Sequence, residues 1–60
     1  MLVNTLTAEL DLENIRVGDF IVDGLGVSGK VIKVLISRYA TETHYYFSVD
    51  NKQGTILVIK

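Results

Sequence analysis

From residue 41 to residue 50 the side chains alternate: Thr43, Tyr45, Phe47 and Val49 fall on one parity, Glu42, His44, Tyr46 and Ser48 on the other. A period of two puts each set on its own side of an extended chain, so this segment is a strand with one face in a core and the other toward solvent. One strand alone leaves its backbone N–H and C=O groups unpaired and has nothing to pack against. The segment therefore commits the rest of the chain to building a sheet around it.

Residues 29–38 supply a neighbour. Val31, Ile32, Val34 and Ile36 are β-branched and stand on both parities, as in a strand partly covered on two sides. At about 3.3 Å per residue such a strand outreaches a small barrel, so it is expected to bend sharply and to serve two sheets. Tyr39-Ala40 reads as a tight connection, although neither residue readily takes the positive φ of the common two-residue hairpins; a longer loop through Thr43 is the alternative. With no proline in the chain, punctuation falls to glycine and to Asp-Asn turns. Asp50-Asn51-Lys52-Gln53-Gly54 reads as the turn into a last strand over residues 55–60. Upstream, Val17-Gly18-Asp19 feeds a strand at Phe20-Ile21-Val22, which Asp23-Gly24-Leu25-Gly26 ends. The first dozen residues read two ways: a short helix beginning at Thr7, or a strand from Leu2 to about Ala8 followed by an irregular turn through Asn14. The strand is the preferred reading and brings the number of strands to five.

Five short strands in 60 residues leave an open sheet with two bare faces and two bare edges, and curling into a barrel removes both problems. The expected fold is all-β, a small five-stranded SH3-like or Tudor-like barrel spanning residues 1–60 as one domain. Absence of cysteine rules out a disulfide framework, and a core of this size typically supplies no more than about 3–5 kcal/mol, which makes self-association an expectation. No apolar run approaches the roughly 20 residues of a membrane span, and residues 1–5 lack the basic and apolar regions of a signal peptide, so a cytoplasmic protein is expected. Glu9, Asp11, Glu13, Asp19 and Asp23 crowd the first part of the chain against Arg16 alone, whereas Lys30, Lys33, Arg38, Lys52 and Lys60 outnumber Glu42 and Asp50 in the rest. Folding decides whether that asymmetry becomes a polarised surface.

The chain has a single histidine, His44, on the outward parity beside Glu42 and Tyr46. A Glu-His pair two apart on a strand has groups for acid-base work but lacks the enclosing pocket such work needs, so no enzyme is expected. One histidine among scattered carboxylates does not make a zinc or calcium ligand set, and no metal or other cofactor is expected. Gly24-Leu25-Gly26-Val27-Ser28-Gly29 fits G-x-G-x-x-G, yet a strand follows where phosphate binding needs a helix N-terminus, so these glycines read as turn and bulge positions. Lys30, Lys33 and Arg38, with Tyr39, Tyr45 or Tyr46, are material for a nucleic-acid groove, but a pI near 5.6 offers phosphate no general attraction. Protein recognition needs no special motif, because an open strand edge accepts another chain's strand. Tyr46 beside His44 is the kind of exposed residue that anchors an interface.

In order along the chain, Val17-Gly18-Asp19, Phe20-Ile21-Val22, Gly26-Val27, Gly29-Lys30-Val31-Ile32, His44-Tyr45-Tyr46-Phe47 and Thr55-Ile56-Leu57-Val58 resemble the RNA-polymerase-interacting domain of CarD and the transcription-repair coupling factor. The resemblance implies a Tudor-like barrel that binds the polymerase β subunit through a strand edge. Asp23-Gly24 stands where that family has Tyr-Pro, and the helical domain that follows the barrel in CarD has no counterpart here, so no DNA contact is implied. Gly29-Lys30-Val31-Ile32 also resembles KOW-type barrels of transcription and ribosomal proteins. The expected function is a non-enzymatic protein-binding module, with RNA polymerase as a candidate partner and Tyr46, His44, Lys33, Arg38 and Lys30 as candidate binding residues. The alternatives are a KOW-like nucleic-acid binder using Lys30, Lys33 and Arg38, and a small homo-oligomeric inhibitory protein of the kind phages encode.

Overall fold

The computed structural model describes residues 1–50 and 54–60. A short helix α1 (Glu9–Glu13) is followed by strands β1 (Phe20–Val22), β2 (Ser28–Arg38), β3 (Thr43–Val49) and β4 (Thr55–Ile59). The strands form one antiparallel sheet in chain order, β1-β2-β3-β4, curled into half a barrel. The all-β, barrel-like expectation holds, with four strands among the described residues where five were expected. No helix among the described residues is long and apolar enough to cross a membrane.

β3 obeys its alternation: Tyr45, Phe47 and Val49 are buried, and the Tyr45 and Phe47 rings stack with centroids 6.4 Å apart. β2 explains its mixed parity. It pairs with β1 through residues 28–30 and with β3 from Val31 to Arg38, and the register slips between Val31 and Lys33. Ile32 is the extra residue of a β-bulge, and one extra residue inverts the parity of everything after it. Gly29 and Val31 therefore face the core before the bulge, and Val34 and Ile36 turn toward it afterwards. One strand thus serves two neighbours.

The N-terminal segment departs from the preferred reading. Only Leu2 makes a bridge, parallel to Val22. Asn4 then folds the chain back: its Oδ1 accepts from the Leu6 N–H (2.8 Å), and its own N–H donates to the Thr7 hydroxyl (3.0 Å). Such local side-chain bonds compete with a sheet ladder and here defeat it. In place of the strand from Leu2 to Ala8 there is a turn and then α1, where Leu10 is exposed while Leu12 and Ile15 are buried. These three positions follow helical spacing, not the alternation of a strand. Val3, Leu12 and Ile15 fill the hollow of the half-barrel against Ile21, Val31, Tyr45, Phe47, Ile56 and Val58.

Turns set the phase of the strands. Arg16 C=O accepts from the Asp19 N–H (3.0 Å) around Gly18, which sits at φ +101°. Asp23 Oδ1 gathers the N–H groups of Leu25 (2.8 Å) and Val27 (2.9 Å), closing the β1–β2 hairpin. The β2–β3 connection is residues 39–42, longer than the expected Tyr39-Ala40, and Tyr39 N–H bonds Glu42 C=O (2.8 Å) without any described non-glycine residue at positive φ. The turn expected across Asn51, Lys52 and Gln53 lies outside the described residues. Before it, Asp50 accepts the Lys30 N–H on its carboxylate (2.9 Å) and donates its own N–H to the Lys30 C=O (3.0 Å).

Candidate functional site: the β4 edge and the outer face beside it

The two edges of the sheet are treated differently. Beyond β1 the chain covers itself: Val3 N–H donates to Val22 C=O (2.8 Å), Val22 N–H to Met1 C=O (2.8 Å), and the Met1 ammonium to Phe20 C=O (3.0 Å). At β4 the bonds that flank the strand fix its phase. Val49 N–H donates to Gly54 C=O (2.9 Å), Thr43 N–H to Lys60 C=O (3.3 Å), and Lys60 N–H to Thr43 C=O (2.9 Å). Antiparallel ladders alternate, so Gly54, Ile56, Val58 and Lys60 direct their backbone groups at β3. The N–H and C=O of Thr55, Leu57 and Ile59 point the other way, and no partner for them is found among the described residues. β4 carries no charge, proline or bulge to blunt that edge, which are the usual protections of an exposed strand.

The outer face adjoining this edge is a small grid. Leu35, Tyr46 and Leu57 lie opposite one another across β2, β3 and β4; Ser37, His44 and Ile59 form the next row, and Lys33, Ser48 and Thr55 the one on the other side. Leu35, Leu57 and Ile59 are respectively 51%, 48% and 42% exposed. These values are high for side chains flanked on a sheet, and together they make a contiguous apolar patch of the kind that marks an interaction surface.

His44 is held in that face. Its Nε2 hydrogen-bonds the Glu42 carboxylate, its Nδ1 lies 3.2 Å from the Tyr46 hydroxyl, and its ring stands 4.7 Å from Tyr39 at a 54° tilt. In a neutral imidazole, Nε2 donates to Glu42 and Nδ1 accepts from Tyr46. With both nitrogens engaged, the histidine orients the two tyrosines and leaves no nitrogen free to bind a ligand. Period-two reasoning places Tyr46 and His44 together on the outside. The approach of Tyr39 depends on the path of residues 39–42.

The three candidate cations do not all share one face: Lys30 and Lys33 face outward on either side of the bulge, and Arg38 does not. Lys33 lies on the outer face opposite Ser48. Arg38 is on the opposite parity, paired with Thr43, and its guanidinium is 3.9 Å from Glu13 on α1. Lys30 stands in the β1–β2 ladder opposite Phe20, before the bulge. Lys60 reaches back to Thr5 C=O (2.7 Å), so two of the basic groups of the later chain are drawn onto the acidic N-terminal part. Sequence reasoning missed Leu35, Leu57 and Ile59 as surface residues. The signal was present in the run Ile56-Leu57-Val58-Ile59, where apolar residues on both parities of an edge strand cannot all reach one core.

Compared with known families, curated proteins and solved structures, the chain shows no match.

Proposed function

We propose that this protein is a non-enzymatic binding module of the SH3-like or Tudor-like barrel type, which takes an extended segment of another protein chain along β4. The observation that carries the proposal is the unprotected edge: Thr55, Leu57 and Ile59 offer in a row N–H and C=O groups that have no partner among the described residues, beside exposed Leu57 and Ile59 side chains. Backbone pairing supplies affinity in such strand addition, and alternate side chains of the added strand supply specificity. Here those on the outer face continue, beyond Leu57, the row formed by Leu35, Tyr46 and Leu57. The resemblance of the segment order to CarD makes RNA polymerase the first partner to try. A nucleic-acid reading is less well supported, because Lys30 and Lys33 face outward while Arg38 is on the opposite parity beside Glu13, so the three do not line one groove.

Affinity capture with the protein and with Leu57→Lys tests this. The expected result is a polypeptide retained by the wild type and lost with the variant, whose added ammonium group sits on the pairing edge. Recovery of nucleic acid alone, or equal retention by both forms, contradicts it.

A further inference from the structure

We infer that the strand received at the β4 edge is β4 of a second copy, so that the protein forms a two-fold symmetric dimer through one continuous sheet. The inference rests on the open-edge reading above and names its partner.

The pattern of β4 is self-complementary about Leu57. If two copies run antiparallel with Leu57 facing Leu57, Thr55 of each falls opposite Ile59 of the other. All three outward-directed residues then form hydrogen-bonded pairs, each exchanging two N–H···O bonds. A two-fold centred on Ile56 or Val58 pairs only two of the outward-directed residues with each other, whereas the one centred on Leu57 pairs all three. The faces match as well. Ile56 falls opposite Val58 on the core side, joining the two hydrophobic cores, while on the outer side the row Leu35, Tyr46, Leu57 meets the same row reversed. No like charges are opposed, because β4 is uncharged and Lys60 falls opposite Gly54. A two-fold interface must be complementary to itself in this way, whereas an arbitrary partner strand carries no such requirement. The need for a second copy is also physical: the chain has 60 residues and no cysteine, and domains of this size commonly supplement a small core by oligomerising.

Sedimentation equilibrium over a wide range of protein concentration, combined with amide hydrogen exchange, tests the dimer. The expected result is a mass rising from 6.7 kDa to twice that. Exchange at Thr55, Leu57 and Ile59 should slow in step with the mass, while Ile56 and Val58 are protected throughout. Leu57→Lys sets two ammonium groups against each other on the two-fold axis and is expected to weaken association by at least about tenfold. Ile59→Lys, at an exposed position opposite Thr55 of the other copy, is expected to weaken association by a smaller factor and serves as the second test should the first variant lose its near-ultraviolet tyrosine signal. A constant monomer mass overturns the dimer, as does a dimer in which those three amides exchange as fast as in the monomer. A constant monomer with fast exchange at the three amides leaves the open edge intact for a different protein. Protection of the same amides in the monomer removes the open edge itself.

Discussion

Tyr45 is fully buried and stacked on Phe47, yet its hydroxyl has no hydrogen-bond partner among the described residues. A buried polar group without a partner costs about 1–3 kcal/mol, so Tyr45→Phe is expected to keep or raise stability by up to about 1 kcal/mol. Tyr45→Ala, which also removes the ring, is expected to lower it by about 3–5 kcal/mol. Urea denaturation of the two variants measures both. Gly18 offers a contrasting case. It sits at φ +101° with open space where a Cβ would go, so Gly18→Ala isolates backbone strain and is expected to cost about 1–2 kcal/mol by the same measurement. At this scale the sequence was informative where a residue's environment follows from strand parity, as for Tyr45 inside and Tyr46 and His44 outside. The bond between His44 and Glu42 lies within one strand face and its entry, but the tilted approach of Tyr39 to His44 needed the course of a loop that neither residue's neighbours specify.

Among the elements, β2 shows why parity alone misleads. Its apolar residues look two-sided in sequence, but the bulge at Ile32 turns Val31, Val34 and Ile36 to the same side. A bulge inserts a residue without any composition of its own, so nothing in residues 29–38 marks where the phase changes. Deleting Ile32 restores a straight register in which Val31, Val34 and Ile36 alternate regularly and all stay on the core side. The deletion is therefore expected to keep cooperative thermal unfolding by circular dichroism, and Ile32→Thr, at a position 56% exposed, is expected to change stability by no more than about 0.5 kcal/mol. The helix is another case of tertiary context deciding. With five residues and no side-chain N-cap bond, α1 is too short to stand alone, and Leu12 in the core is what holds it. Leu12→Ala is expected to cost about 2–5 kcal/mol and Leu10→Ala, on the exposed side, about 0.5 kcal/mol or less, read from denaturant midpoints. The alternation of Ala8, Leu10 and Leu12 suited a strand equally well, and the deciding bonds came from Asn4 and Thr7, upstream of it.

For the molecule as a whole, the consequence is an asymmetric sheet. The N-terminus closes the β1 edge, Val3, Leu12 and Ile15 plug the hollow, and β4 is left with a row of backbone groups directed outward. A curled, barrel-like antiparallel sheet was legible from the spacing of the four strands after residue 17. Its incomplete closure was not, because closure depends on whether the first residues reach β4, and Asn4 turns them aside. Folding also brings two cations of the later chain to the acidic N-terminal part, Arg38 to Glu13 and Lys60 to the Thr5 C=O. Amide hydrogen exchange across β4, on protein held monomeric by dilution, tests the open edge most directly. The structure predicts alternation, with slow exchange at Ile56 and Val58 and fast exchange at Thr55, Leu57 and Ile59; uniform protection of all five amides in the monomer would contradict it.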